Sequence, residues 1–186
     1  MASRPTAHST SYRLIVSRAW PIIVANSSTP LLGLTDTAVI GRTGSIASLG
    51  AIALGSLIFS FVYWTFGFLR MGTTGFVAQA NGSGNEAEVR VIIVRSALIG
   101  IFIGVILILA QIPIFKLALS ILSGSEAVEA SASTYMKLRI WAAPASLASY
   151  VIMGGLIGLG RSKTLLTVQI FLNTLNIALD VLLAGY

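Results

Sequence analysis

Cysteine is absent from this chain of 186 residues, and histidine occurs once, as His8. The first absence rules out disulfides and thiolate metal sites. The second, with His8 in a polar tail, rules out a histidine metal centre or a Ser-His-Asp triad within the body of the chain. Charge is scarce as well. Only 10% of the residues are charged, against about 25% in an ordinary soluble domain, too few to cover a water-facing surface. Twelve basic residues outnumber six acids, for a net charge of +6. They stand singly between apolar runs instead of clustering on one face, which argues against nucleic acid as a partner. No nucleophile–base pair and no metal-ligand set is visible, so catalytic residues, a bound metal and enzymatic activity are not expected.

What the chain has in abundance is apolar length. Hydrophobic residues make up 55% of it, and the mean hydropathy is +0.89. This composition is that of an integral membrane protein, with the lipid bilayer as its principal partner. Residues 1–13 form a polar, acid-free tail expected to lie in the cytoplasm. A membrane domain over residues 14–186 follows, with apolar spans at about 14–40, 46–69, 91–112, 135–159 and 165–186. Each approaches or exceeds the roughly 20 residues that a spanning helix needs. Membrane-barrel strands would be shorter and would alternate, and VIIVRSALIGIFIGVILILAQI does not. The connections GRTG, NGSGNEAE, SGSEAVE and GRSK read as polar loops.

Placing the N-terminus inside puts Arg4, Arg13, Arg18, Arg70, Arg90, Arg95, Arg161 and Lys163 on the inner side. The outer side then holds Arg42, Lys116, Lys137 and Arg139, an imbalance of eight to four that favours a cytoplasmic N-terminus.

Two acids interrupt the spans, Asp36 in the first and Asp180 in the fifth. A charge at mid-helix costs about 2.5–3.5 kcal/mol on insertion, which makes each a functional residue by default. Asp36 lies 18 residues beyond the inner anchor Arg18, and Asp180 lies 17 beyond Lys163. Both therefore stand at a similar depth, roughly 26 Å above the cytoplasmic anchors. Gln169, Asn173, Asn176 and Asp180 repeat at spacings of four, three and four, a single stripe on one helix face. Asn26, Thr29, Gly33 and Asp36 make a similar stripe on the first span, so the two are expected to face a shared interior lined by Asn26 and Asn173. A carboxylate there accepts either a proton or a cation, the minimum equipment for exchange. Interhelical hydrogen bonding is the competing account of the amides. The third span has no such stripe and is expected to face lipid. Pro21 and Pro30 interrupt the first span and Pro144 the fourth, where each removes a backbone hydrogen bond and permits a kink. Gly100/Gly104 and Gly154/Gly158 match the small-xxx-small packing pattern.

The run PLLGLTDTAVIGRTGSIASLGAIALGSLIFSFVYWTFGFLRMGTTGFVAQANGSGNEAEV resembles the start of a MATE (multidrug and toxic compound extrusion) transporter, most closely the DinF-like branch. Its most specific block is GFLRMGTTGFVAQA. LRIWAAPASL and NTLNIALDVLL are also similar to that family. The resemblance implies two six-helix lobes, each with a cavity. The expected fold is thus an all-α integral membrane protein, about five transmembrane helices of an incomplete six-helix N-lobe that lacks the sixth helix and the C-lobe. The resemblance places Asp36, Asn176 and Asp180 at the ion-coupling positions of the N-lobe cavity. It also places Tyr135 on the cavity wall and Pro21 at a helix kink linked to protonation.

The function this implies is the N-terminal part of a multi-pass efflux antiporter in the bacterial inner membrane. It would exchange protons or sodium for small organic, cationic substrates without a resident cofactor. The alternatives are a lipid or oligosaccharide flippase of the same superfamily, or a membrane fragment that does not transport. The acids favour a cation.

Overall fold

A chain this apolar must close its backbone hydrogen bonds internally, because hydrocarbon offers none. The computed structural model describes residues 12–13, 15–17, 19–27, 46–122 and 125–184, and among them helices account for nearly everything and no strand occurs. We name the helices α1 (19–27), α2 (Ile46–Thr65), α3 (Gly67–Gly82), α4 (Glu86–Leu109), α5 (Gln111–Leu122), α6 (Glu126–Arg139), α7 (Ala143–Gly158) and α8 (Ser162–Ala184). Asp36 and the GRTG loop lie outside the described residues.

Local chemistry accounts for where the helices start and stop. Asn85 caps α4 by accepting a hydrogen bond from the Glu88 amide at 3.0 Å, and Glu86 and Glu88 place negative charge in the first turn. At the end of α3, Gly84 adopts φ 73° and the Asn85 amide reaches back to the Ala80 carbonyl. At the end of α7, Gly160 adopts φ 68° and the Arg161 amide reaches back to the Leu156 carbonyl. Both are Schellman turns, and both need a glycine because a side chain is disfavoured at positive φ. Pro144, the second residue of α7, has no amide hydrogen to donate, and the three residues before α7, Ile140–Ala142, tighten into a 3-10 turn. Residues 126–158 are otherwise one continuous helical rod. A shorter break at Phe66 separates α2 from α3.

Three helical stretches among the described residues are long and apolar enough to cross a membrane: Ser48–Gly82, Glu86–Leu109 and Glu126–Gly158. α5 is a shorter apolar helix that the hydropathy pattern did not mark. It begins after Ala110, carries Pro113 in its first turn where proline is tolerated, and packs Phe115 edge-on against Phe59.

Between membrane helices the lipid is as apolar as leucine, so close backbone approach and hydrogen bonds replace hydrophobic drive. Glycines supply that approach here. A Cβ added at Gly104 would collide with the Pro144 backbone. One added at Gly154 would stand 2.5 Å from the Arg70 carbonyl, and one at Gly158 would stand 2.7 Å from the Thr74 carbonyl. Both small-residue pairs read from the sequence thus lie at helix crossings, Gly100/Gly104 on α7 and Gly154/Gly158 on α3. Thr74 adds an interhelical hydrogen bond to the Gly154 carbonyl at 3.1 Å. These contacts run 104 to 144 and 100 to 147, so α4 is antiparallel to α7. Gly50 on Val128 and Gly55 on Tyr135 show that α2 runs parallel to α6.

The core between these helices is built from Phe59, Met136, Ile140, Leu147 and Val151, with a second cluster of Val77, Ala80 and Val89 near the α3–α4 turn. α4 buries Gly100, Gly104 and Leu107 while exposing Val94, Leu98, Phe102, Val105 and Leu109, as a lipid-facing helix should. Trp64 and Met71 are each 79% exposed, a waste of apolar area in water and none in hydrocarbon.

Gly104→Val is expected to destabilise the bundle by about 1–3 kcal/mol through forced separation of α4 and α7. Gly75→Ala is expected to be neutral or to stabilise by up to about 1 kcal/mol, because an added Cβ at Gly75 meets nothing within 4 Å. Thermal unfolding in detergent separates the two outcomes.

Candidate functional site in the membrane bundle

The residues singled out from the sequence fall into three groups in the structure. On α1, Pro21 and Ala25 form the buried side and Asn26 is exposed. On α8, Ser162 and Leu165 are buried and anchor the helix at its base on α7. Above them the Gln169 side-chain amide donates to the Asn173 side-chain carbonyl at 3.1 Å. Asn173 is half-buried, Asn176 is exposed, and Asp180 continues the same helix one turn further on. On α6, Tyr135 packs toward α2.

The surroundings of Tyr135 are the most constructed polar feature among the described residues. Its ring lies against Gly55, where an added Cβ would stand 2.5 Å from the ring. Its hydroxyl lies 3.3 Å from the Ser56 hydroxyl and accepts a hydrogen bond from the Arg139 guanidinium one turn along the same helix. That guanidinium also sits over two aromatic rings, 5.4 Å from the centroid of Phe59 and 5.4 Å from that of Tyr135. Both distances are within cation–π range. Nearby, the buried Tyr63 hydroxyl lies beside Ser146, Tyr150 and Arg139 and closes no well-formed hydrogen bond among the described residues.

Arg139 was counted from the sequence as an outer anchor of the fourth span, because the apolar window opens at residue 135. The structure starts the helix at Glu126, nine residues earlier, and so carries Lys137 and Arg139 into the body of the rod. The signal that could have found it is the Tyr135–Arg139 spacing of four, which stacks the two side chains on one face. Gly55, Ser56 and Phe59, which complete the cluster from α2, leave no such mark in the sequence.

Long apolar helices packed through glycine and broken at proline define a polytopic α-helical membrane protein. The MatE family model matches residues 21–182, and the chain belongs to that family. It is 42% identical over 163 residues to the DNA damage-inducible protein F of Escherichia coli (strain K12), an alignment covering 88% of this chain and 36% of that protein. It is 30% identical over 167 residues to a probable multidrug resistance protein NorM of Thermotoga maritima, covering 89% of this chain and 36% of the relative. A protein of the same description from Neisseria meningitidis serogroup A is 29% identical over 171 residues, covering 90% and 36%. The chain thus spans about a third of the length of these relatives. No solved structure matches.

The seating of Tyr135 on Gly55 predicts a coupled pair. Gly55→Val is expected to cost about 1–3 kcal/mol by overpacking. In a Tyr135→Ala background, with the obstructing ring gone, most of that cost should vanish. A double-mutant cycle on thermal unfolding checks this, with a coupling of about 1 kcal/mol or more expected.

Proposed function

We propose that this chain supplies the N-terminal lobe of a MATE efflux antiporter that moves small organic cations out of a bacterial cell. In this reading it sits in the inner membrane with its N-terminus in the cytoplasm, and entry of protons or sodium drives export. Family membership supports the transporter class. The observation that carries the reading further is the α8 stripe, in which hydrogen-bonded amides at Gln169 and Asn173 lead through Asn176 to Asp180 on an otherwise apolar helix.

The chemistry follows from competition for carboxylates. Asp36 and Asp180 are the only acids placed within the spans of this chain. When ionised they attract an organic cation, with amide oxygens of Asn173 and Asn176 sharing its contacts. When a proton or sodium ion occupies them, the attraction is lost and the substrate leaves. Bending of the first helix at Pro21 on protonation of Asp36 is the proposed link between ion binding and the outward-facing state. In this reading Tyr135 borders the cavity from the α6 side, and the lobe works together with a C-lobe.

The test is a chimera in which residues 21–182 replace the matching segment of the Escherichia coli relative, reconstituted into proteoliposomes. Ethidium export driven by a pH or a sodium gradient is measured. Asp36→Asn and Asp180→Asn are each expected to lower gradient-driven export by about tenfold or more. Export at the unmodified rate in both variants would remove the acids from the mechanism.

A further inference from the structure

Hydrogen-bond donors outnumber acceptors in the seam between α2 and α6. A guanidinium carries five N–H donors, and the acceptor that Arg139 meets is the Tyr135 hydroxyl. Among the described residues no carboxylate pairs with it. The Tyr63 hydroxyl is buried and has no hydrogen-bond partner among the described residues. Both groups converge on Phe59. The Arg139 guanidinium lies 5.4 Å from the centroid of that ring, and the Tyr63 ring lies 5.7 Å from it, centroid to centroid. Two serines add hydroxyls to the same place. Ser56 stands 3.3 Å from the Tyr135 hydroxyl, and Ser146 of α7 lies beside that of Tyr63.

The fixed charges on the helices around this seam are positive. Lys116 follows Phe115, whose ring meets Phe59 edge-on at 6.2 Å, and Lys137 stands two residues before Arg139. α2, α5 and α7 contain no acid. The acids of α6, Glu126 and Glu129, occupy its first turn, ten residues or more from Arg139 and so about 15 Å away along the helix. A buried hydroxyl without a partner calls for one. A guanidinium beside hydroxyl donors matches an oxyanion, which accepts several hydrogen bonds at once. The two aromatic rings and the Tyr135 hydroxyl already hold the guanidinium, so little further ordering is needed on binding. Arg139 is exposed, which gives a ligand access.

We propose that Arg139 and Tyr63 form an oxyanion site in this seam, which takes the carboxylate of a small organic molecule or the phosphodiester of an anionic lipid headgroup. Tyr135 and Phe59 position the guanidinium, and Ser146 and Ser56 supply further hydroxyls at the rim. The site goes beyond the antiporter reading. That reading draws cations to Asp36 and Asp180, whereas this site draws an anionic group to α2, α6 and α7, and it stands on their contacts alone.

The test is equilibrium binding of para-fluorobenzoate to the full chain in phosphatidylcholine nanodiscs, followed by fluorine NMR. The neutral para-fluorobenzamide controls for ring packing. Arg139→Gln is expected to weaken the benzoate by about tenfold or more. Tyr63→Phe keeps the ring on Phe59 and removes only the hydroxyl, so it guards against a misfolded arginine variant, and it should weaken the benzoate by about threefold or more. Binding of the benzamide should stay unchanged in Tyr63→Phe. Equal weakening of both ligands by Tyr63→Phe overturns the proposal, and so does benzoate binding that is indifferent to Arg139 and Tyr63. An unmodified chain with no preference for the anion over the amide overturns it as well. Nanodiscs containing phosphatidylglycerol separate the two sources of the oxyanion. A headgroup in the site competes with the benzoate and weakens it more in the unmodified chain than in Arg139→Gln, while equal effects assign the site to a soluble carboxylate.

Discussion

The approach of Gly104 to the Pro144 backbone fixes the spacing of α4 and α7, and the other distances in the bundle follow from it. In a bilayer no hydrophobic drive pulls helices together, so van der Waals contact and hydrogen bonds must do so at short range. Gly154 and Gly158 give α7 the same closeness to α3, where Thr74 adds a hydrogen bond to the Gly154 carbonyl. Beside these three helices α2 packs on α6 through Gly50 and Gly55, and polar residues gather along that second seam.

Along the α2–α6 seam, a glycine accommodates a tyrosine ring, a serine meets its hydroxyl, and an arginine is held over two aromatic rings. Each contact limits the next. The Tyr135 ring fits there because residue 55 has no side chain, and its hydroxyl is the acceptor for Arg139. Such a chain of dependence places a charge in a defined position. The α8 amides at Gln169 and Asn173 form a separate polar stripe.

The membrane class and the helical architecture were legible in the sequence, because apolar runs of bilayer length have few other uses. Helix boundaries were less so, since hydropathy marks where lipid lies and not where a helix begins. EAVEASAST is polar, so the apolar pattern starts near Tyr135, yet Glu126 and Glu129 are good first-turn residues and the helix begins there. GFLRMGTTGFVAQANG is rich in glycine, so the pattern fades after Leu69. Thr73 and Thr74 nevertheless return their hydroxyls to the carbonyls of Leu69 and Arg70, at 2.6 and 2.8 Å, and the helix continues to Gly82. The Arg139 cluster was hidden for another reason: it joins residues some eighty positions apart, and periodicity within one helix carries no trace of such a contact.

The glycine contacts also have a mechanical consequence. Where backbone meets backbone, no side chain can change rotamer to absorb a shift, so α3, α4 and α7 behave as a stator. Sliding any of them would first require a separation of about the width of a methyl group, against close packing that resists it. Rearrangement within this part of the lobe is therefore directed to the helix held at one end only. That is α8, buried at its base and open above.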